Sequence, residues 1–236
     1  MALEIKKIDK FIYPGTHRET IEGKRHYVIG EEKLPSVTTI LAATQSEEKR
    51  KKLAEWRARE GAKKADQIKQ RAANRGSTMH KVLEHKILGK GYADMTELGQ
   101  QATKMVECIA ERGLCNVSDY YGTEVNIYYP GLYAGQTDLA CVHNGSDAIV
   151  DFKQTNKPKQ REWISDYFTQ GAAYCMAHDT IYGTYIDKFV VMMCSADPYY
   201  QEFILQGKEL KEYKYKWLER LDNYHRNSYI NEKKKG

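Results

Sequence analysis

No stretch of this 236-residue sequence is long and apolar enough to span a bilayer, and the first ten residues lack the apolar core of a signal peptide. The cysteines are few and scattered, and no two of them have Cys-x-x-Cys spacing; they lie at positions 108, 115, 141, 175 and 194. These absences favour a cytoplasmic protein without a membrane anchor, whose thiols are reduced and mostly buried.

The composition is that of a globular chain with a slight excess of positive charge. Hydrophobic residues make up 41% of the sequence, enough for a substantial core, and the mean hydropathy of −0.71 indicates a soluble protein. The length suits one large domain, so we expect residues 1–236 to form a single unit. The net charge of +5 is compatible with a nucleic-acid partner without demanding one.

Two apolar runs, at 134–142 and 148–152, are separated by a short turn sequence. That turn contains Asn144-Gly145, a pair typical of two-residue β-hairpin turns. The first run carries Asp138 and the second ends at Asp151, so we expect the two carboxylates to lie close together on adjacent antiparallel strands.

Two neighbouring carboxylates repel each other unless a cation lies between them. Hard divalent ions such as Mg²⁺ and Mn²⁺ prefer oxygen ligands. Strand alternation places Asp151 and Lys153 on one face and Phe152 on the other. A lysine beside a metal can hold a phosphate oxygen or position a water, which suits phosphodiester hydrolysis. Taken alone, however, this tripeptide is more typical of a surface ion pair of small energy; the preceding Gly-Gln-Thr-Asp and the hairpin between them favour the metal site.

Three short motifs follow one another in a fixed order. They are Gly-Ser-Thr-Met-His at 76–80, Gly-Gln-Thr-Asp at 135–138 followed by Asp-Phe-Lys-Gln-Thr at 151–155, and Gln-Gly-Ala-Ala-Tyr at 170–174. The ordered set resembles the RecB-type branch of the PD-(D/E)XK nuclease superfamily. Within that branch it is similar to the mitochondrial genome maintenance exonucleases and related phage exonucleases, over roughly residues 34 to 225.

The resemblance implies an α/β fold with a restriction-endonuclease-like core, in which helices flank a central mixed β-sheet. Residues 1–75 would supply strands and basic helices that form an arch, or DNA channel, and 76–230 the catalytic core. The implied activity is a metal-dependent DNA exonuclease that prefers single-stranded ends, in phage or replication and recombination DNA processing. The alternatives are a structure-specific endonuclease on the same core and a non-catalytic DNA-binding protein.

The resemblance also implies a cellular context. Single-stranded DNA would be the main partner, and a single-strand-binding or recombination protein a further one, in the host cytoplasm if the chain is phage-encoded. Some RecB-type nucleases carry an iron–sulfur cluster on four cysteines. This sequence lacks their clustered C-terminal triplet, so we expect no such cluster.

The same resemblance assigns the catalytic roles. Asp138, Asp151 and the Phe152 carbonyl would hold one Mg²⁺ or Mn²⁺, and His80 with Asp138 would hold a second. Lys153 would orient or activate the attacking water. Two further acids are candidates of lower rank. Glu84 lies one helical turn after His80 and could orient it, and Glu124 is either an additional site acid or an outward-facing strand residue.

The expected DNA contacts come from several segments. Residues 47–75 contain more bases than acids and are expected to form one or two helices, which either face DNA, with Arg75 among the contacts, or present a solvated surface. The segment 75–78 is expected to end that helix and begin another. Ser36 is expected to cap a helix, either as an ordinary cap or at a phosphate site.

Further DNA contacts are expected after the second aspartate. Lys157, in a basic loop with Lys159 and Arg161, could bind phosphate. The aromatic residues that follow, at 163, 167 and 168, either stack on bases or pack on the next helix. Gln170 and Tyr174 share one helix face, and by resemblance they position DNA. The alternative is a polar pair that supports the sheet.

Overall fold

The structure is a computed structural model that describes residues 4–233. The strands among these residues are β1 (Lys6–Lys7), β2 (His17–Ile21), β3 (Lys24–Ile29), β4 (Glu32–Pro35), β5 (Val117–Tyr129), β6 (Tyr133–His143), β7 (Ser146–Thr155), β8 (Lys188–Ser195) and β9 (Tyr200–Gln206). The α-helices are α1 (Val37–Ala43), α2 (Glu47–Glu60), α3 (Ala62–Ile87), α4 (Glu97–Arg112), α5 (Ser165–Tyr182) and α6 (Gly207–Lys233).

The main sheet has the strand order β1-β5-β6-β7-β8-β9. The pairs β1–β5 and β7–β8 are parallel and the others are antiparallel, so the sheet is mixed. The predicted hairpin joins β6 to β7, and its turn residues Asn144 and Gly145 have φ values of 46° and 73°. Positive φ at both central positions is what the Asn-Gly pair permits. Strands β2, β3 and β4 form a separate three-stranded sheet.

Helices cover both faces of the main sheet, which confirms the predicted α/β core compatible with a restriction-endonuclease-like fold. One face packs against α3 and α4 through residues such as Leu83 and Met105. The other packs against α1, α5 and α6 through residues such as Ile40, Phe168 and Trp217. Across residues 4–233, every helix is too short or too polar to serve as a membrane span.

The basic segment before the first motif forms two helices, but the expected break at 75–78 is wrong. The chain turns at Gly61, where φ is 80°, and α3 then runs without interruption to Ile87. Gly76 lies inside α3, where a methyl group would be 3.4 Å from the Gln154 Cγ. That distance is ordinary van der Waals contact, so Gly76 packs beside β7 within the helix and does not end it. None of the residues of α2 is buried, so this helix projects from the core.

The segment before β2 packs on the main sheet through aromatic rings. Phe11 and Tyr13 lie outside the described strands. Their rings contact His178 and Tyr182 of α5. These two residues therefore hold the segment against the core.

Candidate active site

The candidate site lies where β6 and β7 separate. Their pairing runs from the hairpin turn as far as Leu139 with Val150 and stops there. Asp138 and Asp151 are the next residues along the two strands. The Asp138 Oδ2 accepts a hydrogen bond of 2.5 Å from the Phe152 backbone N–H. The Asp138 carboxylate thus accepts the bond from Phe152 that a backbone carbonyl of β6 would accept in a continuous ladder. The gap between the strands leaves room beside both acids.

His80 reaches this gap from α3, which packs on the opposite face of the sheet. Its Nδ1 lies 3.2 Å from the Asp138 Oδ1 and 3.6 Å from the Glu124 Oε1. Candidate ligand atoms of these three residues all lie within 4.8 Å of one another. In the part of the chain that the structure describes, no side-chain hydrogen bond or ion pair joins Glu84 to His80. The histidine is therefore oriented by strand carboxylates and not by the acid one turn later.

Glu124 enters the site because β5 is irregular there. The pairs on either side, Thr123 with Leu139 and Val125 with Thr137, place Glu124 opposite Asp138. Its φ is +52°, a left-handed conformation that few non-glycine residues adopt. Such strain clusters at functional sites. From the sequence, Glu124 was a candidate of lower rank than the others. Its only signal was that it is an acid on the predicted strand before Asp138.

Asp151 and Lys153 point into the same gap from β7. Asp151 is 2% exposed, and its Oδ2 contacts the Lys153 Nζ. Phe152 packs into the core on the reverse face, as the alternation predicts. The lysine Nζ also lies 5.1 Å from the centre of the Tyr167 ring. Both sides of the gap thus present charged groups on fixed strands.

The electrostatics of the site reflect burial of mixed charges. Burial lowers the pKa of His80, but the nearby Asp138 and Glu124 carboxylates outweigh it and raise the pKa to about 10. Burial raises the pKa of Asp138, yet the His80 and Lys153 charges bring it below its usual value. Burial is also the main reason that the pKa of Asp151 is raised, and the Asp138 charge adds to it. The protein thus stabilises the charge of Asp138 and leaves that of Asp151 disfavoured.

The donor set fits a divalent metal ion. His80, Glu124 and Asp138 supply one imidazole nitrogen and carboxylate oxygens within reach of one another. With Asp151 included, three carboxylates face one lysine and one histidine. When His80 is neutral the cluster has an excess of two negative charges, which one divalent cation would balance. Carboxylate oxygens suit Mg²⁺ and Mn²⁺, and imidazole is tolerated by Mn²⁺.

Two cavities meet at this cluster. One, of about 130 Å³, is lined by both aspartates, Lys153 and the Gln170–Tyr174 pair. The other, of about 720 Å³, is lined by His80 and Glu124 and also by Glu84. Arg18 of β2 lines both, and Arg25 of β3 lines the smaller one. The sequence patterns did not single out either arginine, because the position of the second sheet cannot be read locally.

The predicted Gln170–Tyr174 pair is buried beside the aspartates. The Gln170 Nε2 donates a 2.7 Å hydrogen bond to the Tyr174 Oη. Ser36, also in this cavity, is the N-cap of α1, and its Oγ accepts from the Thr39 N–H at 3.0 Å. Contact of any of these three residues with DNA stays a prediction, but all of them lie where a substrate in the cavity would touch them.

Of the other predicted DNA contacts, Arg75 and Arg161 are bonded within the protein, whereas Lys157 is exposed. Arg75 is buried and bonded to Gln154, which follows Lys153 on β7. Lys157 is exposed in the basic loop, whereas Arg161 forms a 2.6 Å ion pair with Glu209.

The aromatic residues that follow divide between the two alternatives. Phe168 is 1% exposed and packs in the core, whereas Trp163 is 62% exposed and remains available for stacking. Tyr167 lies between these extremes, beside Lys153.

No protein-family profile matches the sequence, and no curated protein is similar to it. Among solved structures, a candidate exonuclease from Eubacterium rectale aligns with a TM-score of 0.47 and 15% identity, over 64% of this chain and 63% of that one. This chain thus spans less than two thirds of that structure. LHK-Exo in complex with dAMP aligns with a TM-score of 0.34 and 13% identity, over 66% and 83% of the two chains; LHK-Exo is an alkaline exonuclease from Laribacter hongkongensis. Similarity this distant does not assign an activity.

Proposed function

We propose that this chain is a Mg²⁺- or Mn²⁺-dependent deoxyribonuclease that hydrolyses phosphodiester bonds, an exonuclease acting on single-stranded ends. The observation that supports it best is the meeting of five side chains at one gap in the sheet. His80, Glu124 and Asp138 lie on one side of that gap, and Asp151 with Lys153 lies on the other.

The residues divide the chemistry between them. His80, Glu124, Asp138, Asp151 and the Phe152 carbonyl are the groups that would hold one or two metal ions. A bound divalent ion would polarise the phosphate and lower the pKa of a water. Lys153 keeps its proton because, although burial lowers its pKa, Asp151 and Asp138 raise it by more. Its ammonium group would orient the attacking water and stabilise negative charge that develops on the phosphate oxygens.

The preference for single strands is supported by the placement of the α2–α3 hairpin. Lys49 near the start of α2 contacts Asp166 at the start of α5. Arg75 of α3 is bonded to Gln154 at the end of β7. The basic loop and the exposed Trp163 lie between these two attachment points along the chain. A strand passing beneath the hairpin would meet positive charge and a stacking platform, as single-strand-binding grooves provide.

Two other functions share this geometry. A structure-specific endonuclease would use the same groups without needing a strand end, and a non-catalytic DNA-binding protein would bind without cleavage. The complete acid and lysine set favours catalysis over binding alone. We also propose action in the cytoplasm, in phage or replication and recombination DNA processing, with a single-strand-binding or recombination protein as a partner.

The test is digestion of end-labelled single-stranded, duplex and circular DNA with Mg²⁺ or Mn²⁺. We expect loss of linear single strands from their ends, and no loss in excess EDTA. Cleavage of circles would identify an endonuclease. Full activity in EDTA, or binding without cleavage at any metal concentration, would contradict the proposal.

A further inference from the structure

A further cavity, of about 240 Å³ and separate from the two at the candidate site, lies between α3, α4 and the end of β7. It is on the face of the sheet that carries Phe152, opposite the face from which Lys153 points. Its lining residues are Ile68, Arg71, Ala72, Arg75, Gln101 and Asn156. None of these is acidic, two are arginines and two carry neutral amides.

Arg75 is the unusual residue in this lining. It is 4% exposed, and its Nε and Nη2 lie 2.9 Å and 2.6 Å from the Gln154 Oε1. Its Nη2 also contacts the Asn156 Oδ1. Within residues 4–233, no carboxylate forms an ion pair with it. Burial and the charge of Arg71 lower the pKa of Arg75. A buried guanidinium that meets only neutral acceptors lacks the counter-ion that buried charges normally have.

We propose that this cavity binds a phosphate group, held by Arg71 and Arg75. The Arg75 Nε and Nη2 are bonded to Gln154 and Asn156, which leaves its Nη1 to donate to a phosphate oxygen. Arg71, one helical turn earlier, can bind a phosphate in the two-pronged geometry typical of guanidinium groups. Arg71 is free to turn inward, because its 3.1 Å pair with Glu97 joins side chains that are 64% and 92% exposed, and such surface pairs contribute little. The cavity is much larger than the ~30 Å³ share of one water.

The phosphate has two conceivable sources, the substrate strand or free phosphate in solution. Assignment to the strand rests on the proposed nuclease function. Gln154 points to the face opposite Lys153, but Arg75 lies on α3 five residues before His80, about 7.5 Å along the helix axis. The cavity therefore lies near the side of the proposed cleavage site from which His80 enters. A phosphate near the cleaved one would reach it and fix the register of the strand.

The experiment uses the full chain and inorganic phosphate, titrated by calorimetry in EDTA at constant ionic strength. Wild type and Arg71→Ala are compared, with Arg112→Ala as the matched control, because Arg112 is also exposed but lies at the far end of α4. We expect Arg71→Ala to weaken phosphate binding about tenfold and Arg112→Ala to leave it unchanged. Arg75→Lys, which keeps the charge but removes the planar guanidinium held by Gln154 and Asn156, should also weaken it.

A second arm measures binding of a single-stranded oligonucleotide in EDTA by fluorescence anisotropy. Arg71→Ala should lower this affinity about tenfold, and inorganic phosphate should compete. Absence of phosphate binding in the wild type, or equal binding in Arg71→Ala, would overturn the anion site. Phosphate binding through Arg71 with an unchanged oligonucleotide affinity would overturn the strand assignment and identify free phosphate. Phosphate binding by a protein that never cleaves DNA would contradict the nuclease function and leave the anion site standing.

Discussion

The ring of Tyr174 lies directly against the backbone of Gly135. A methyl group at position 135 would be 2.5 Å from the Tyr174 Cε1, closer than atoms can approach without displacement. The glycine of one sequence motif thus makes room for the tyrosine of another, although 39 positions separate them in the chain. The contact places the Gln170–Tyr174 hydrogen bond beside the two aspartates.

Gly135→Ala should therefore destabilise the protein by about 1–3 kcal/mol, because Tyr174 is buried and must move, and should lower the cleavage rate. Gly15→Ala is the matched control, since nothing lies within 4 Å of a methyl group there. Chemical denaturation would measure the stability of both variants. In a Tyr174→Ala background the effect of Gly135→Ala should largely vanish. An undiminished effect there would mean that the contact is not its cause.

Removal of a charged group on β7 should stop the chemistry without undoing the fold. Asp151→Asn and Lys153→Met should each reduce the cleavage rate by roughly 100- to 10,000-fold. Oligonucleotide binding and the unfolding midpoint should stay close to wild type. Lys104→Ala, at an exposed position on α4, serves as the control. Cleavage at the normal rate by either β7 variant would remove that residue from the mechanism.

Glu124 and Glu84, the two acids of lower rank, should differ in their effect on metal binding. Glu124→Gln should weaken Mn²⁺ binding by about 10- to 100-fold, a loss typical of groups that support a metal site, because the carboxylate lies within the ligand cluster. Glu84→Gln should change it little, since the Glu84 carboxylate forms no bond to the His80 side chain. Calorimetric titration with Mn²⁺ compares the two. A stronger effect from Glu84 would reverse this ranking.

His178 lies in the aromatic cluster around Tyr13 and Tyr182. Its expected contribution is to the pH dependence of stability.

Burial lowers the pKa of His178 from 6.5 to about 4. Between these two pH values the unfolded chain binds a proton here that the folded protein excludes, so stability falls as the pH falls. The loss at this residue amounts to about 3 kcal/mol when complete. His178→Gln should flatten the stability curve between pH 6.5 and pH 4, as measured by urea denaturation at several pH values. Parallel curves for the two proteins would show that His178 does not contribute.

Much of the site could be predicted because its information is local. The Asn144-Gly145 turn and the alternation of side chains place Asp138 and Asp151 on neighbouring strands, and Lys153 beside the second. These signals depend on turn geometry and on the two-residue repeat of a strand, and the structure confirms the hairpin and its pairing. The mixed sheet with helices on both faces is likewise as predicted.

Other features depended on contacts between distant segments. Glu124 joins His80 because β5 places it opposite Asp138, in a left-handed conformation. Gly76 was expected to end a helix, yet it lies inside α3, which continues to Ile87. Arg75 lies buried without an acidic partner among the described residues. The sequence alone determined which strands carry the acids, because turns and alternation are local. Only the tertiary structure decided which other charges meet them, because long-range packing sets those distances.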